Sequence, residues 1–359
     1  MREEALSFSN SGYAHPAARV LVNGSPIIGV VRAEVISNNY FSADCFKIEF
    51  AIGDAPLSPP AFWANLLGIE ADVQFSQDGV GFTSLIIGQV DSVVLDQVSS
   101  RVLVSGRDYT AALTEAVVEE SFSNRTASEV VEILAAENGL AYTAAPTTTI
   151  IGRYYEDAHA ISGLDQFSRL TTQWDLLVYL ARQEGFDLFF SGRVLNFQPS
   201  GQSAQSMVVT SQDCTALRLK RSLVLSRDIE LTIRSWNSRQ QTAYVQSFLG
   251  VAAGGGATPP IKYRTTHPNL TPDQITSLGF RRIAELASHE RCVEIEMPGE
   301  LVLTPRDQLT VVGTSTQFDQ IYQVQAIHRC LHPGSGFGEL ITAVSAMPRS
   351  VTVTGAIPA

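Results

Sequence analysis

Residues Leu170–Pro199 read LTTQWDLLVYLARQEGFDLFFSGRVLNFQP and predict a helix, a stop and a β-hairpin in close succession. Thr172 is placed to cap the helix start, and Asp175 follows three positions later, where an acidic residue completes a box-like cap. Gly185 predicts the end of the helix, because glycine adopts the left-handed conformation that commonly closes a helix. The rest of the chain is interpreted around this compact unit.

The helix of this unit is apolar on most of its surface, and a hairpin follows it. Its apolar residues are Trp174, Leu177, Val178 and Ala181 on one face and Leu176 and Leu180 on the opposite face. A helix apolar on most sides is expected to be buried on most sides. Phe186–Phe190 and Val194–Phe197 are predicted to pair as strands across Ser191-Gly192. No catalytic or ligand-binding motif lies here, so a structural role accounts for the whole unit.

Outside this unit, both ends of the chain show β patterns. Asn23-Gly24 separates two apolar runs and is a strong hairpin signal. The alternation of Phe46, Ile48 and Phe50 with charged residues has the period of a half-buried strand. The same alternation returns after residue 205, for example in Ile229–Ile233. Many short strands with regular turn signals favour a barrel or sandwich at each end.

Two further helices carry strong local signals. Thr126 and Glu129 have the spacing of a capping box ahead of an apolar stripe. Thr271 begins the other helix, with Pro272 at its first position and Gln274 completing a second capping box. These helices are expected to belong to small α+β units set between the β-rich parts.

We therefore predict an α+β protein that is mainly β, with two tube-like antiparallel β-barrel domains and inserted small α+β domains. Residues 1–106 are assigned to the first barrel and 107–204 to an α+β insert that contains the helix–hairpin unit. Residues 205–350 are assigned to the second barrel, interrupted by a loop and helix at about 237–291. Residues 351–359 are expected to be a loose tail.

Composition limits the classes of function. The 359 residues are 45% hydrophobic and 17% charged, with a net charge of −11. Such a chain can build large cores and shows little sign of disorder. An acidic protein is a poor candidate for wrapping nucleic acid, because that binding depends on Lys and Arg neutralising phosphates. No apolar run reaches the ~18 residues of a membrane span, and the N-terminus does not resemble a signal peptide, so we expect a protein made and kept in a cytoplasm.

Motifs for metals, cofactors and phosphates are weak. Cys45, Cys214, Cys292 and Cys330 are far apart and form no Cys-x-x-Cys pair, so buried free thiols are expected. His328 and His332 could approach each other but lack a third ligand. Gly334–Gly338 resembles a phosphate loop but precedes a strand rather than a helix, which favours a hairpin turn.

Candidate catalytic groups also have simpler interpretations. Asp72, Asp78, Asp91 and Asp96 could supply paired carboxylates, but acidic residues on the wet face of a sheet are far commoner. Arg281-Arg282 is interpreted as a solvated helix face. Trp63, Trp174 and Trp236 are interpreted as core or interface anchors. We therefore predict no enzyme and assign no catalytic, cofactor-binding or metal-binding residue.

Several of these pieces occur together, in order, in one known family. The matching segments are GQVDSVVLDQVSSRVLVSGRDYTAAL (88–113), WDLLVYLARQEGFDLFFSGRVLNF (174–197), IELTIRSWNS (229–238), ELVLTPRDQLTVVG (300–313) and YQVQAIHRCLH (322–332). From residue 15 to about 345, the chain resembles the baseplate hub proteins of tailed bacteriophages, the late control gene D family. That family is related to the N-terminal part of type VI secretion spike proteins. The chain ends without the OB domain and β-helical needle of a fused spike, which favours a separate phage-type hub.

The resemblance implies a homotrimer in which each subunit supplies two barrels to a pseudo-sixfold ring. One side of the ring would contact the hexameric tail tube or a tube-adaptor protein. The other side would carry the trimeric spike or tail-tip protein, with further baseplate proteins around it. The expected location is the virion tail, assembled in the bacterial host cytoplasm. The helix–hairpin unit would then brace the barrels, which needs no reactive group.

Two hypotheses and two alternatives follow. The ring lumen is expected to be acidic or neutral, so that DNA passes without specific binding. Gly250–Pro260 is expected to be a flexible loop that becomes ordered against a partner. One alternative is a tail-associated cell-wall hydrolase that uses Asp72 or Asp91. The other is a carbohydrate-binding adhesin that uses exposed aromatic residues, namely Tyr40, Phe41 or Tyr154.

Overall fold

The computed structural model describes residues 15–39, 41–118, 122, 124–148, 150–151, 154–155, 160–161, 172–201, 206–237, 242–252, 258–267 and 270–358. The first part contains β1 (Ala17–Val22), β2 (Ser25–Ile27), β3 (Val30–Asn38), β4 (Cys45–Ala51), α1 (Pro60–Ala64), β5 (Glu70–Ser76), β6 (Thr83–Asp96) and β7 (Arg101–Asp108). The middle part contains α2 (Thr110–Glu115), β8 (Arg125–Thr126), α3 (Ala127–Glu137), β9 (Ala141–Ala144), β10 (Ile150–Ile151), β11 (Tyr154–Tyr155), β12 (Ala160–Ile161), α4 (Gln173–Glu184), β13 (Phe186–Ser191) and β14 (Val194–Pro199). The last part contains β15 (Ser206–Val209), β16 (Ala216–Arg221), β17 (Ile229–Asn237), β18 (Thr242–Val251), β19 (Ile261–Thr266), α5 (Pro272–Ser288), β20 (Arg291–Pro298), β21 (Gln308–Val311), β22 (Ile321–His332), β23 (Gly336–Ser345) and β24 (Ser350–Pro358). The expected α+β class, mainly β, is confirmed.

One 13-stranded sheet joins the two β-rich ends of the chain. Its main path runs β16-β20-β23-β22-β3-β4-β7-β6-β5-β1-β2, with β15 and β21 attached at β22. The junction is the antiparallel pair of β3 with β22, from Ala33 opposite Leu331 to Asn38 opposite Ala326. We call this pair the seam. Four antiparallel strands lie in a row on each side, β3-β4-β7-β6 and β22-β23-β20-β16.

Each half of the sheet has its own core. Alternating residues of β4, including Phe46, Ile48 and Phe50, are buried in the first core, as their period predicted. Tyr322 and Val324 of β22 are buried in the second core. Burial of a large apolar side chain contributes about 1.5–3 kcal/mol, so these residues stabilise the half to which each belongs. The Asn23-Gly24 turn joins β1 to β2 with both residues at positive φ, which confirms the predicted hairpin.

Gly106 on β7 allows a close approach between three strands. A Cβ added there would lie 2.0 Å from the Gln89 carbonyl oxygen and 2.5 Å from the Phe46 ring. We expect Gly106→Ala to lower the free energy of unfolding by about 1–3 kcal/mol, because backbone and ring must both shift. Urea denaturation measures the effect. Gly338→Ala on β23 is the control, since its nearest neighbour is Met297 O at 3.8 Å, and equal losses would contradict the argument.

The middle part forms a third core around α3, α4 and the β13-β14 hairpin. Thr126 and Glu129 form the predicted capping box of α3. Thr172 caps α4 by accepting a hydrogen bond from Asp175 N, and Gly185 ends the helix at φ 75°. In the hairpin Ser191 is opposite Val194, so the turn residues are Gly192-Arg193, one position later than predicted. We call α4, β13 and β14 the helix–hairpin module.

A separate four-stranded sheet, ordered β19-β17-β18-β24, packs with α5 around a fourth core. Ile229, Leu231 and Ile233 of β17 are buried there. The sequence pattern had placed these residues in the second barrel. Their alternation fits any half-buried strand, so the pattern alone could not identify the sheet that contains them. The Thr271 and Gln274 capping box of α5 is present as predicted.

Two expectations for this sheet were wrong. The expected loose tail, 351–359, instead forms β24 as far as Pro358, paired antiparallel with β18 from Val251–Ser350 to Tyr244–Pro358. Backbone pairing and the burial of Phe248 beside this strand hold the segment in place. Part of the expected loop Gly250–Pro260 is also regular, because Gly250 and Val251 belong to β18. Residues 253–257 of that loop lie outside the described residues, as does residue 359.

A buried charge network lies beside the seam. Arg329 on β22 donates to Glu300 Oε1 at 2.9 Å, to Glu339 Oε2 at 3.2 Å and to the Leu303 carbonyl at 2.7 Å. Glu300 also accepts hydrogen bonds from the backbone N–H of Val302 and Leu303. One guanidinium therefore donates hydrogen bonds to two carboxyl groups and holds the 300–303 turn against the sheet.

Candidate functional site

A cleft of about 760 Å³ lies among the helix–hairpin module, the four-stranded sheet with α5, and both halves of the large sheet. We call it the central cleft. Its walls are α4 and β13 of the helix–hairpin module, α5 of the four-stranded unit, residues 38–39 and 41–44 of the first half, and Arg306 with Gln323 of the second half. Residues of all four units therefore line the central cleft.

The helix–hairpin module is fixed to the first half at two places. Trp174 Nε1 donates to the Phe41 carbonyl at 2.9 Å, and the Arg182 guanidinium lies 5.3 Å from the centre of the Phe41 ring. At the hairpin turn, Arg193 Nε donates to Glu70 Oε2 of β5 at 2.7 Å. The buried Trp174 contact is the stronger of the two, because the Arg193 side chain is exposed to solvent.

Two arginines connect the module to the rest of the chain. Arg306 stacks on the Phe189 ring of β13 at 3.6 Å. Arg281 Nη2 of α5 donates to the Gln183 carbonyl at the end of α4, at 2.8 Å. The expectation that Arg281-Arg282 is a solvated face was therefore wrong for Arg281, which packs against Gly185. Burial lowers the pKa of both Arg281 and Arg306 from the ordinary arginine value.

Two carboxyl groups line the cleft where it meets the first half. Asp108 N donates to the Asp44 carbonyl at 3.0 Å, which places the two residues side by side. Burial, reinforced by Asp108, raises the pKa of Asp44 to about 7. Burial raises the pKa of Asp108 to about 6, against the hydrogen bond from Thr110. Both carboxyl groups therefore titrate near neutral pH rather than near pH 4.

The four aspartates considered for catalysis each have a local structural partner. Asp72 accepts from Gln74 and Ser84, and Asp91 pairs with Arg107 at 2.6 Å. Backbone hydrogen bonds from Val80 and Gly81 lower the pKa of Asp78, and hydrogen bonds from the Ser99 side chain and backbone lower the pKa of Asp96. These contacts place the four aspartates in turns and on sheet faces, each with a structural partner.

The candidate metal and phosphate residues also take structural positions. His328 Nε2 lies 3.6 Å from Glu34 Oε2, and His332 Nδ1 accepts from Gly334 N at 3.0 Å. Within the described part of the chain, no group of three or more His, Cys, Asp and Glu side chains could hold a metal ion. Gly334 lies in the turn between β22 and β23, and β23 begins at Gly336, so the hairpin interpretation is confirmed.

The tryptophans and cysteines also have defined environments. Trp63 is buried against Phe50 in the first core, and Trp174 is buried beside the cleft. Trp236 is 49% exposed at the end of β17. All four cysteines are free and partly buried. Of the aromatic residues proposed for an adhesin, Tyr40 and the side chain of Tyr154 lie outside the described residues.

Comparison with known proteins supports this architecture through structure rather than through sequence. The sequence matches no family model, and no curated protein matches it significantly. A tail protein from Neisseria meningitidis MC58 superposes with a TM-score of 0.70 at 14% identity, covering 93% of this chain and 97% of its own. The 43 kDa tail protein of prophage MuSo2 from Shewanella oneidensis gives a TM-score of 0.65 at 14% identity, covering 91% and 96%. The chain has a phage tail-protein fold.

The same fold extends to secretion machinery. The E. coli c3393 protein, a component of the type VI secretion system, gives a TM-score of 0.57 at 11% identity, covering 91% of this chain and 77% of its own. The fold that the sequence resemblance implied is therefore confirmed. Among the helices that the structure describes, none is long and apolar enough to cross a membrane.

Sequence reasoning missed the principal site residues. Asp44, Asp108 and Arg306 come together at the cleft from three distant segments. Asp108 belongs to the Gly-Arg-Asp-Tyr segment that supported the family resemblance, which was the only available signal. Nothing in the sequence around Arg306 indicates that it stacks on Phe189.

Proposed function

We propose that this chain is a structural hub protein in the tail of a bacteriophage or of a related injection particle. Three copies form a ring in which each contributes two β halves, so that the ring presents six similar units. One face joins the hexameric tail tube or its adaptor. The other face carries the trimeric spike or tail tip, and DNA passes through the centre.

The observation that carries this proposal is the seam. The β3–β22 pair unites two β-rich halves in one sheet, each half with its own core. A subunit with two β halves is what a threefold ring needs in order to match a sixfold tube. The tail protein from Neisseria meningitidis matches over nearly its whole length, which supports the same architecture in both chains.

The charge of the chain supports free passage of DNA. The 36 Asp and Glu residues outnumber the 25 Lys and Arg residues, so the protein has no excess of cations to hold phosphates. We therefore expect the lumen to be acidic or neutral. The partners of the ring are the neighbouring tail and baseplate proteins, its location is the virion, and its assembly occurs in the host cytoplasm.

Mass in solution tests the ring directly. Native mass spectrometry of the purified chain, alone and mixed with its tail neighbours, is expected to give a trimer in at least one of these samples. Electron microscopy of the native particle should then place the chain in a threefold ring between tube and tip. A chain that stays monomeric in every mixture would overturn the proposal. Clearing of a cell-wall zymogram by the chain would instead support the hydrolase.

A further inference from the structure

We propose that the four-stranded sheet β19-β17-β18-β24 docks an acidic segment of a partner protein on the face that points away from α5. We call this surface the sheet face. The proposal goes beyond the ring, because the sheet face belongs to a single subunit and its charge does not depend on assembly. It rests on three observations: the charge of the sheet, two arginines without acidic partners, and an exposed tryptophan.

The sheet face is the side of the sheet that α5 does not cover. The odd-numbered residues of β17 from Ile229 to Ser235 are buried, and the first three of them belong to the core that contains α5. Because side chains alternate along a strand, Arg234 and Trp236 lie on the opposite face, and both are exposed. The exposed residues of β19 lie on the same side, because each is in register with an even-numbered residue of β17.

The sheet face is basic although the protein is acidic. The four strands contain three cationic side chains, namely Arg234, Lys262 and Arg264, and a single carboxylate, Glu230. By strand register all four lie on the sheet face. Three cations against one carboxylate leave two positive charges in excess, in a chain whose net charge is −11. The sheet face is therefore complementary to an acidic partner.

Two of these cations have no acidic partner. Lys262 Nζ lies 3.4 Å from Glu230 Oε2, which occupies the one carboxylate of the sheet. The guanidinium groups of Arg234 and Arg264 make no hydrogen bond or ion pair with the residues that the structure describes. Arg264 is in register with Thr232, two positions before Arg234, so the two arginines are diagonal neighbours on one face. A carboxylate placed between them would reduce their repulsion and accept bidentate hydrogen bonds.

Apolar side chains lie beside the arginines. Trp236 is 49% exposed at the end of β17, although tryptophan is usually largely buried. Val245 of β18 is opposite Arg234, Leu249 is opposite Glu230, and both apolar side chains are partly exposed. Tryptophan and arginine are the residue types that most often dominate the binding energy of protein interfaces. The acidic segment is therefore expected to carry an apolar side chain that packs on Trp236.

The same residues favour a protein over a nucleic acid as the partner. Two unpaired guanidinium groups can neutralise about two phosphates, which gives little affinity at physiological salt. A protein carboxylate instead forms a bidentate contact with arginine, and burial of Trp236, Val245 and Leu249 adds to that contact.

The test uses the folded full-length chain and three probes. The first is a peptide of about ten residues with glutamate and leucine on one face of an extended strand and threonine on the other. The second has lysine in place of glutamate, and the third is single-stranded DNA of about ten nucleotides. Isothermal titration calorimetry should show saturable binding of the glutamate peptide with a Kd below about 1 mM. Trp236→Ala should weaken this binding about tenfold or more.

Charge variants separate docking from a change in net charge. Arg264→Glu on the sheet face and Lys47→Glu at an exposed position of β4 change the net charge equally. Arg264→Glu should weaken binding of the glutamate peptide about tenfold, whereas Lys47→Glu should leave it within about twofold. Thermal melts of each variant verify that it is folded.

Four results would overturn the docking surface. They are the absence of saturable binding of the glutamate peptide, equal weakening by the two charge variants, lysine-peptide binding that Trp236→Ala removes, and DNA binding that Arg264→Glu removes. The ring is tested separately, because its readout is the mass of the assembly. A chain that forms the ring but fails the peptide test contradicts the docking surface alone.

Discussion

Replacing Arg329 with methionine is expected to lower the free energy of unfolding by about 3–5 kcal/mol, the usual result of removing one partner of a buried ion pair. The Arg329 side chain is 4% exposed and those of Glu300 and Glu339 are 6% and 0% exposed. Methionine preserves much of the side-chain volume, so the loss reports charge and hydrogen bonding rather than a cavity. The Glu300 and Leu303 carbonyls lose their donor at the same time.

Urea denaturation of wild type and Arg329→Met measures this loss. Arg218→Met is the matched control, because Arg218 pairs with Glu296 on the same sheet at an exposed position. Exposed pairs contribute about 0–1 kcal/mol. Adding Glu339→Leu to Arg329→Met should restore part of the stability, since it removes a buried polar group that has lost its hydrogen-bond donor. Similar losses for the two arginine variants would show that the buried network contributes nothing beyond a surface pair.

The helix ends and tight turns were predictable because their signals are local. Thr126, Thr271 and Gly185 each act through hydrogen bonds or backbone angles within a few residues. Asn23-Gly24 likewise needs only its own positive φ values to form a hairpin. Signals of this kind depend on residues close in sequence rather than on tertiary contacts. The sequence is therefore sufficient to locate these helix ends and turns.

Strand partners were less predictable, because alternation shows that a strand has one buried face but not which strand it pairs with. The seam joins residues about 290 positions apart in the sequence, as in the pair of Ser37 with Ile327. β24 shows the same limit. Val351 and Val353 have an alternating pattern, but the segment was interpreted as a loose tail because terminal residues usually have few contacts.

The cleft could not be predicted because it exists only between units. Arg281 and Arg282 are adjacent in sequence, yet Arg281 reaches the end of α4 while Arg282 pairs with Glu285 on the same helix. Which of the two is buried depends on where α4 lies relative to α5. Asp44 similarly looks like an ordinary loop residue, and only packing of the surrounding elements raises its pKa.

Glu339→Gln is expected to make the protein more stable than wild type above about pH 8 and to leave stability nearly unchanged near pH 5. Burial raises the pKa of Glu339 to about 8, and Glu300 adds to the shift while Arg329 opposes it. Oε1 of Glu339 has no hydrogen-bond partner within the described structure. The folded state therefore favours the neutral acid, which glutamine imitates in shape and charge.

The direction of the pH dependence follows from the raised pKa. The stability contributed by neutral Glu339 is fully present below the unfolded-state pKa of about 4.5 and is lost as the pH rises through about 8. Urea denaturation at several pH values should give Glu339→Gln an advantage on the order of 3 kcal/mol on the alkaline side. Asp44→Asn should reduce the pH dependence of the free energy of unfolding between about pH 4 and 7, because the pKa of Asp44 is raised to about 7.

The exposed Glu296 supplies the control for this profile, because its ion pair with Arg218 is open to solvent. Glu296→Gln removes the same charge as Glu339→Gln but should leave the shape of the curve unchanged. An identical alkaline advantage in both variants would mean that net charge, rather than burial, causes the effect. A wild-type profile without any loss between about pH 5 and 9 would show that Glu339 is ionised in the folded state. In that case Arg329 would compensate the carboxylates of both Glu300 and Glu339. Arg329→Met would then leave both carboxylates unpaired, and its effect on the free energy of unfolding would be larger than that of Glu339→Gln.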